Sequence, residues 1–315
     1  MPYETTRQIK QDVLFRGAEV VGGASDYDQK VIDYINRVYK TMAAGASEFL
    51  PEYIEDWWWL RARGVLTLKP VTVGTVNITQ DSANITFDIA PTDSVVDYRI
   101  RFDNWGEVFT IATHTAGAVD ATLDSPFTGP TIVGSGYRLM KVTYALDAAV
   151  DAVTGPMVGY RDNPKINGVS PERMDELWPL PNLMPGIPMG FSLEDPQTVR
   201  FSHGGRTDGY SMRVEYPYRP LVTDLEDSDT SIPLVPAQWR HILADMALAY
   251  VYLDKNDDRS NAVALAARTG LAGMLKENRR RLSKINKNTG HIYPRSNNLG
   301  QSPVPLRTES GLIIG

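Results

Sequence analysis

Between Thr75 and Val142 the chain carries five short runs that decide its fold: Thr75-Val-Asn-Ile-Thr79, Asn84-Ile-Thr-Phe87, Tyr98-Arg-Ile-Arg-Phe102, Glu107-Val-Phe-Thr-Ile-Ala112 and Tyr137-Arg-Leu-Met-Lys-Val142. In each, β-branched or aromatic residues tend to alternate with polar ones, the period of a strand with one buried face. Turn residues separate the runs, so the spacing predicts a small antiparallel barrel or sandwich from Val65 to about Tyr144. Residues 150–218 are less regular and rich in Pro and Gly from Asn163 to Pro196. A short helix is expected from Ser170-Pro171, with strands near Thr198–Ser202 and Tyr210–Tyr216, together a second β layer with long connections.

On either side the period changes to that of a helix. Residues 5–20 and 26–50 read as helices, the second opening at Ser25 or Asp26 with Gln29 at capping-box spacing. Val31, Ile35, Val38 and Met42 make one apolar stripe, while Lys30, Asp33, Arg37 and Lys40 fall mostly outside it. Gly45 weakens this helix and Pro51 breaks it. After Pro236, Ile242, Met246, Ala249 and Leu253 form another stripe, and Ala262, Leu265, Ala266, Leu271, Met274 and Leu275 continue apolar faces beyond the turn Asp254–Arg259. The expected class is α+β: a helical bundle formed by the N- and C-terminal segments, with an inserted antiparallel β-barrel or sandwich and an extended C-terminal tail. The boundaries are 1–64 for the N-terminal helices, 65–218 for the β-rich domain, 219–282 for the helical hairpin and 283–315 for the tail.

Composition narrows the functional classes. With 42% hydrophobic and 22% charged residues the 315-residue chain reads as an ordinary globular protein. A net charge of -6 gives no general reason to grip nucleic acid. The absence of cysteine removes disulfides, thiolate metal sites and a cysteine nucleophile together. The opening Met1-Pro-Tyr-Glu-Thr-Thr-Arg lacks the plan of a signal peptide, and no run approaches the roughly 18 apolar residues of a membrane span.

No enzyme signature stands out, and neither a catalytic residue, a metal site nor a cofactor is expected. His114, His203, His241 and His291 are scattered, without a partner at zinc-site spacing. His203-Gly-Gly has no accompanying nucleophile elbow. Asp254–Asp258 begins like a calcium loop, then places Arg259 and Leu265 where Gly and Glu belong. Gly22-Gly23 and Gly134-Ser-Gly136 lack the Lys-Ser/Thr of a phosphate loop and read as turns. Three features need a reason. The consecutive Trp57, Trp58 and Trp59 cannot all face one core from a regular element, so they mark either a hinge or a subunit interface. Asp224, Glu226, Asp227 and Asp229 form an acidic loop, and Arg279, Arg280, Arg281, Lys284 and Lys287 a basic stretch; these are solvated faces, or charges that meet across subunits or dock on a partner. The polar tail beyond Ser283, with Tyr293-Pro294 and Pro303-Val-Pro305, suits extended docking.

Several segments, taken in order, resemble the head-to-tail adaptor proteins of tailed bacteriophages, related to the podovirus tail tubular protein A group. They are Thr6-Arg7 to Gly17-Ala-Glu19; Asp26-Tyr-Asp28 with Tyr34-Ile-Asn36-Arg37; Glu55-Asp-Trp-Trp-Trp-Leu60; Ala121-Thr-Leu-Asp124 to Gly129; and Ser231–Pro236 leading into Arg240–Leu248 and Asp254–Asp258. The likeness runs over essentially the whole chain, and its weight lies in the order of weak motifs. It implies a non-enzymatic virion protein of the neck, assembled in the host cytoplasm as a ring of twelve copies beneath the portal protein ring, with a tail or nozzle protein below. DNA would pass through the channel without sequence-specific binding, repelled by a net negative lining. On this footing Arg279, Arg280, Arg281, Lys284, Lys287, Tyr293 and Pro294 are candidates for portal binding. Trp57, Trp58, Trp59, Asp224, Glu226 and Asp227 are candidates for the subunit interface. The rival is a receptor- or glycan-binding tail component, for which Tyr98 and Trp105 are the candidate exposed aromatics. A cell-wall hydrolase is disfavoured because no acid and base stand at a recognisable spacing.

Overall fold

The computed structural model describes residues 3–21, 26–45, 57–160, 165–178 and 185–288. The chain divides into two compact units, Met1–Ala62 with Arg219–Pro294, and Arg63–Tyr218 grouped with residues 295–315, which lie outside the described ones. The described residues form fourteen β-strands and five α-helices. This corrects the expected class: the protein is predominantly β, and its strands build two separate sheets rather than one inserted barrel or sandwich set in a helical bundle. The short strands between Thr143 and Gly168 explain the error, because runs of three or four residues are too brief to show alternation.

The first sheet is a closed antiparallel barrel of β2 (Thr72–Ile78), β3 (Asn84–Phe87), β6 (Asp120–Leu123), β5 (Val108–His114), β4 (Arg99–Phe102) and β7 (Ile132–Met140), in that order around the ring. Alternation fills it: Val76, Ile78, Ile85, Phe87, Ile100, Phe102, Phe109, Ile111, Leu123, Tyr137 and Leu139 point inward and are buried. Closure leaves no strand edge to recruit another chain. Gly134 and Gly136 lie within β7, not in a turn. Gly134 has φ +65°, and the β2–β7 register shifts between Val76 and Ile78.

The second sheet has eight strands. Its path runs β1 (Ala62–Leu68), β14 (Met212–Pro220), β10 (Met157–Gly159), β11 (Lys165–Gly168), β12 (Gly190–Asp195), β13 (Thr198–Phe201) and β8 (Thr143–Ala145), with β9 (Val150–Val153) also on β14. The parallel pair β11–β12 is joined by a crossover that carries α3 (Pro171–Leu177). Ser170 caps α3 by accepting from the Arg173 amide, and Pro171 occupies its first turn.

The helical unit contains α1 (Thr6–Val21), α2 (Asp26–Ala43), a 3₁₀ turn (Trp58–Leu60), α4 (His241–Asp254) and α5 (Arg259–Asn288). The closely packed helix pairs are α1 with α2, α1 with α4, α2 with α4, and α4 with α5. Helix α4 is therefore central, and Ile242, Leu243, Ala244, Met246, Ala247, Leu248, Ala249, Val251 and Tyr252 are all buried. Val31, Ile35, Val38 and Met42 of α2 are buried as their spacing predicts. Helix α2 ends at Ala43, earlier than expected, and Gly45 follows at φ +78°, a conformation that stops a helix. Gln29 donates to Asp33 instead of closing a capping box. Helix α5 runs on to Asn288, so the helical period outlasts the expected boundary at Ser283. Among its described side chains Ala267, Leu271, Met274 and Asn278 are buried. Leu265, placed by sequence on the apolar face, is 65% exposed, and Ala262 and Ala266 are exposed with it.

Candidate interaction surface

The three tryptophans share one local environment. Trp57 is buried and donates its indole N–H to the Met42 carbonyl at 2.7 Å. The Trp58 amide donates to Asn278 Oδ1 at 2.9 Å, and the Arg281 guanidinium lies 5.1 Å from the Trp58 ring centre. Trp59 stacks on Tyr39 with ring centres 6.5 Å apart. A turn wedged between α2 and α5 thus gives three diverging rings three partners inside one unit. Trp58 and Trp59 remain partly buried on that core.

The acidic loop is also held locally. Asp227 accepts from Lys10 at 2.7 Å, and Lys10 also pairs with Asp28 at 3.5 Å. Asp229 pairs with Arg7 at 2.6 Å and Asp224 pairs with Lys40. The Lys10 hydrogen bond holds the Asp227 carboxyl below the usual carboxylate range. Asn36 fixes the loop backbone from both sides, donating to the Leu225 carbonyl and accepting from the Leu225 amide. With α2 the loop borders an open cleft of about 580 Å³ lined by Gln29, Ile32, Asp33, Asn36, Arg37 and Glu226 among others. Asp224 and Glu226 stay exposed at its rim. Arg240 ties the unit together: its guanidinium donates to the carbonyls of Tyr3, Glu4, Pro233 and Val235.

Helix α5 separates charge from the rest of the chain. It carries eight basic residues and one acidic residue, Glu277, in a protein of net charge -6. Glu277 accepts from Trp239 at 2.8 Å, from Gln238 and from Arg281. Lys276, Arg279, Arg280 and Arg281 are exposed. Lys284 and Lys287 belong to the last turns of α5; Tyr293 and Pro294 lie outside the described residues. The structure therefore brings Arg279–Arg281 onto one helix, with Arg281 against Trp58, and places the acidic loop by α1 and α2.

The three described histidines, His114, His203 and His241, stay apart in structural roles. His114 bridges the Val95 amide and the Ala118 carbonyl, and His241 contacts the Gln238 carbonyl. His203 contacts Ser202 Oγ at 2.8 Å, and burial holds its pKa below the ordinary value; His291 lies outside the described residues. The Asp254–Asp258 segment is a helix turn: Asp254 accepts from Tyr27, Asp257 accepts from the Arg259 amide, and Asn256 has φ 52°. Among the described residues no group of three or more His, Asp or Glu side chains is placed to hold a metal ion. No described helix is long and apolar enough to cross a membrane. Of the two aromatics considered for glycan contact, Tyr98 is buried in the barrel; Trp105 packs on Phe127 at 5.6 Å and donates to Glu107.

Several exposed apolar side chains were not singled out from the sequence, and Leu253, placed by its spacing on the α4 stripe, is 61% exposed. Phe15, on the outer face of α1, is 82% exposed, and Leu265 stands out from α5. The α1 signal was available, since Ile9, Val13 and Gly17 define the buried side and Phe15 falls opposite them. The chain matches no protein-family model, and no curated protein matches it significantly.

Proposed function

We propose that the protein is a structural virion component, an adaptor subunit whose ring joins the portal vertex of a phage capsid to the tail and forms part of the DNA channel. On this reading it is not an enzyme; it is assembled in the host cytoplasm and resides in the virion neck. Its partners are the portal protein ring, further copies of itself and a downstream tail or nozzle protein.

The observation that carries this reading is the charge segregation along α5. A helix with eight basic residues and one acidic residue, in a chain that is otherwise acidic, suits an acidic protein surface. The helix leads directly into the polar C-terminal segment. The barrel adds the complementary half: its residues 72–140 carry eight acidic and three basic side chains, a surface that repels phosphate instead of gripping it. The ordered motifs of the family resemblance agree with both.

The test is electron microscopy of the purified chain alone and mixed with the portal protein of the same virion. A second tier stacked coaxially on the portal, with matching rotational symmetry, is the expected result. No association at low or moderate salt would overturn the adaptor role and send the protein to a glycan screen.

A further inference from the structure

We infer that the C-terminal end of α5 is a binding surface for the phosphate backbone of double-stranded nucleic acid, recognised by charge and not by base sequence. The inference goes beyond the adaptor proposed above, in which DNA is only conducted, and does not depend on it.

The net charge of -6 hides a local charge of the opposite sign. From Lys276 to Asn288 the chain holds six basic residues and one acidic residue, all within α5. Leu271, Met274 and Asn278 are buried and define the inward side of the helix. At 3.6 residues per turn, Lys276 and Arg280 fall opposite that side and Arg279 falls beside them. All three are exposed, spread over about 6 Å of helix axis. Helix α5 also outruns its partner, with 30 residues against the 14 of α4. Gly270 abuts Ile242 at the start of α4, and Glu277 meets Trp239 in the turn before it. From Asn278 to Asn288 the helix continues for about 16 Å beyond that contact, and the basic run lies there.

The one acidic side chain does not cancel these cations. Glu277 accepts from Trp239 at 2.8 Å, from Gln238 at 3.1 Å and from Arg281 at 2.7 Å, so its oxygens face donors of its own unit. Arg281 is engaged by Glu277 and by the Trp58 ring, which leaves Lys276, Arg279 and Arg280 as the residues assigned to phosphate. A recess of about 480 Å³ opens beside them, lined by Gly273, Lys276, Glu277, Arg280 and Arg281. A Cβ at Gly273 would stand 3.1 Å from the Trp239 ring, so bare backbone forms the floor. A phosphate oxygen entering it meets Lys276 and Arg280 together.

The exposed side chains from Lys276 to Arg281 are all cationic. A protein partner needs an apolar anchor as well as charge, and the portal contact proposed above would take it from the segment beyond the helix. A phosphate backbone needs charge alone, because its affinity comes from the counterions that bound cations displace.

The test is fluorescence anisotropy of labelled duplex DNA, in two unrelated sequences, titrated with the full chain. Both should bind alike at about 50 mM salt, with log affinity falling against log salt at a slope of about -3 for three phosphate contacts. Arg279→Gln with Arg280→Gln should weaken binding about tenfold and bring the slope to about -1. Lys165→Gln, which removes an exposed cation of β11, should change neither. No binding at about 50 mM salt, or a slope that the double variant leaves unchanged, overturns the surface. A preference above about tenfold between the two sequences overturns recognition by charge alone. Polyglutamate displacing the duplex at equal charge overturns the phosphate assignment in favour of an acidic protein. Duplex binding without a tier on the portal keeps this surface and removes the adaptor reading; a tier without duplex binding does the reverse.

Discussion

Replacing Trp57 by Ala tests whether the tryptophan turn is the anchor of the helical unit. The ring is 1% exposed, and an aromatic of this size buries about 150–250 Å². At about 25 cal/mol per Å² the transfer loss is roughly 4–6 kcal/mol, and measured large-to-small changes in cores cost about 3–5 kcal/mol. The lost hydrogen bond adds little, because the Met42 carbonyl still accepts from the Gly45 amide at 3.0 Å. The expected cost is about 4 kcal/mol, a large share of the 5–15 kcal/mol of an ordinary domain. Trp57→Phe keeps most of the area and should cost about 1–2 kcal/mol. Urea unfolding followed by far-ultraviolet circular dichroism, which reports chiefly on the helices, reads both. A loss below about 1 kcal/mol for Trp57→Ala would refute the assignment and leave the turn as a peripheral hinge.

Two further substitutions probe other links. Asp227 has its folded pKa depressed by Lys10, so its contribution is present above the unfolded value of about 3.9 and is lost as pH falls through the folded value. Asp227→Asn should lower stability at neutral pH by about 1 kcal/mol, as befits a half-exposed pair, and flatten the acid limb of unfolding below about pH 4; an unchanged acid limb would rule the pair out. Gly205 has φ +100°, and an added Cβ would collide with the Lys69 carbonyl oxygen, so Gly205→Ala should cost about 2 kcal/mol or more. Thermal unfolding checks it against Gly106→Ala, where nothing stands within 4 Å.

What the sequence revealed depended on the length of its patterns. The α2 stripe and the long barrel strands β5 and β7 span enough residues for a period to repeat, and their buried positions follow from it. Strands β8 and β10 have three residues each, and β9 and β11 four, so these four were legible only as irregular chain, although β13 and β14 of the same sheet were read as strands. Their positions are set by distant partners such as β14, which no local window contains. The tryptophans show a different limit. Three successive residues do diverge, as geometry requires, but α2 and α5 flank the turn and receive the rings within one unit. Leu265 fails for the opposite reason: a 30-residue helix packed against the 14-residue α4 cannot bury every apolar position its period offers.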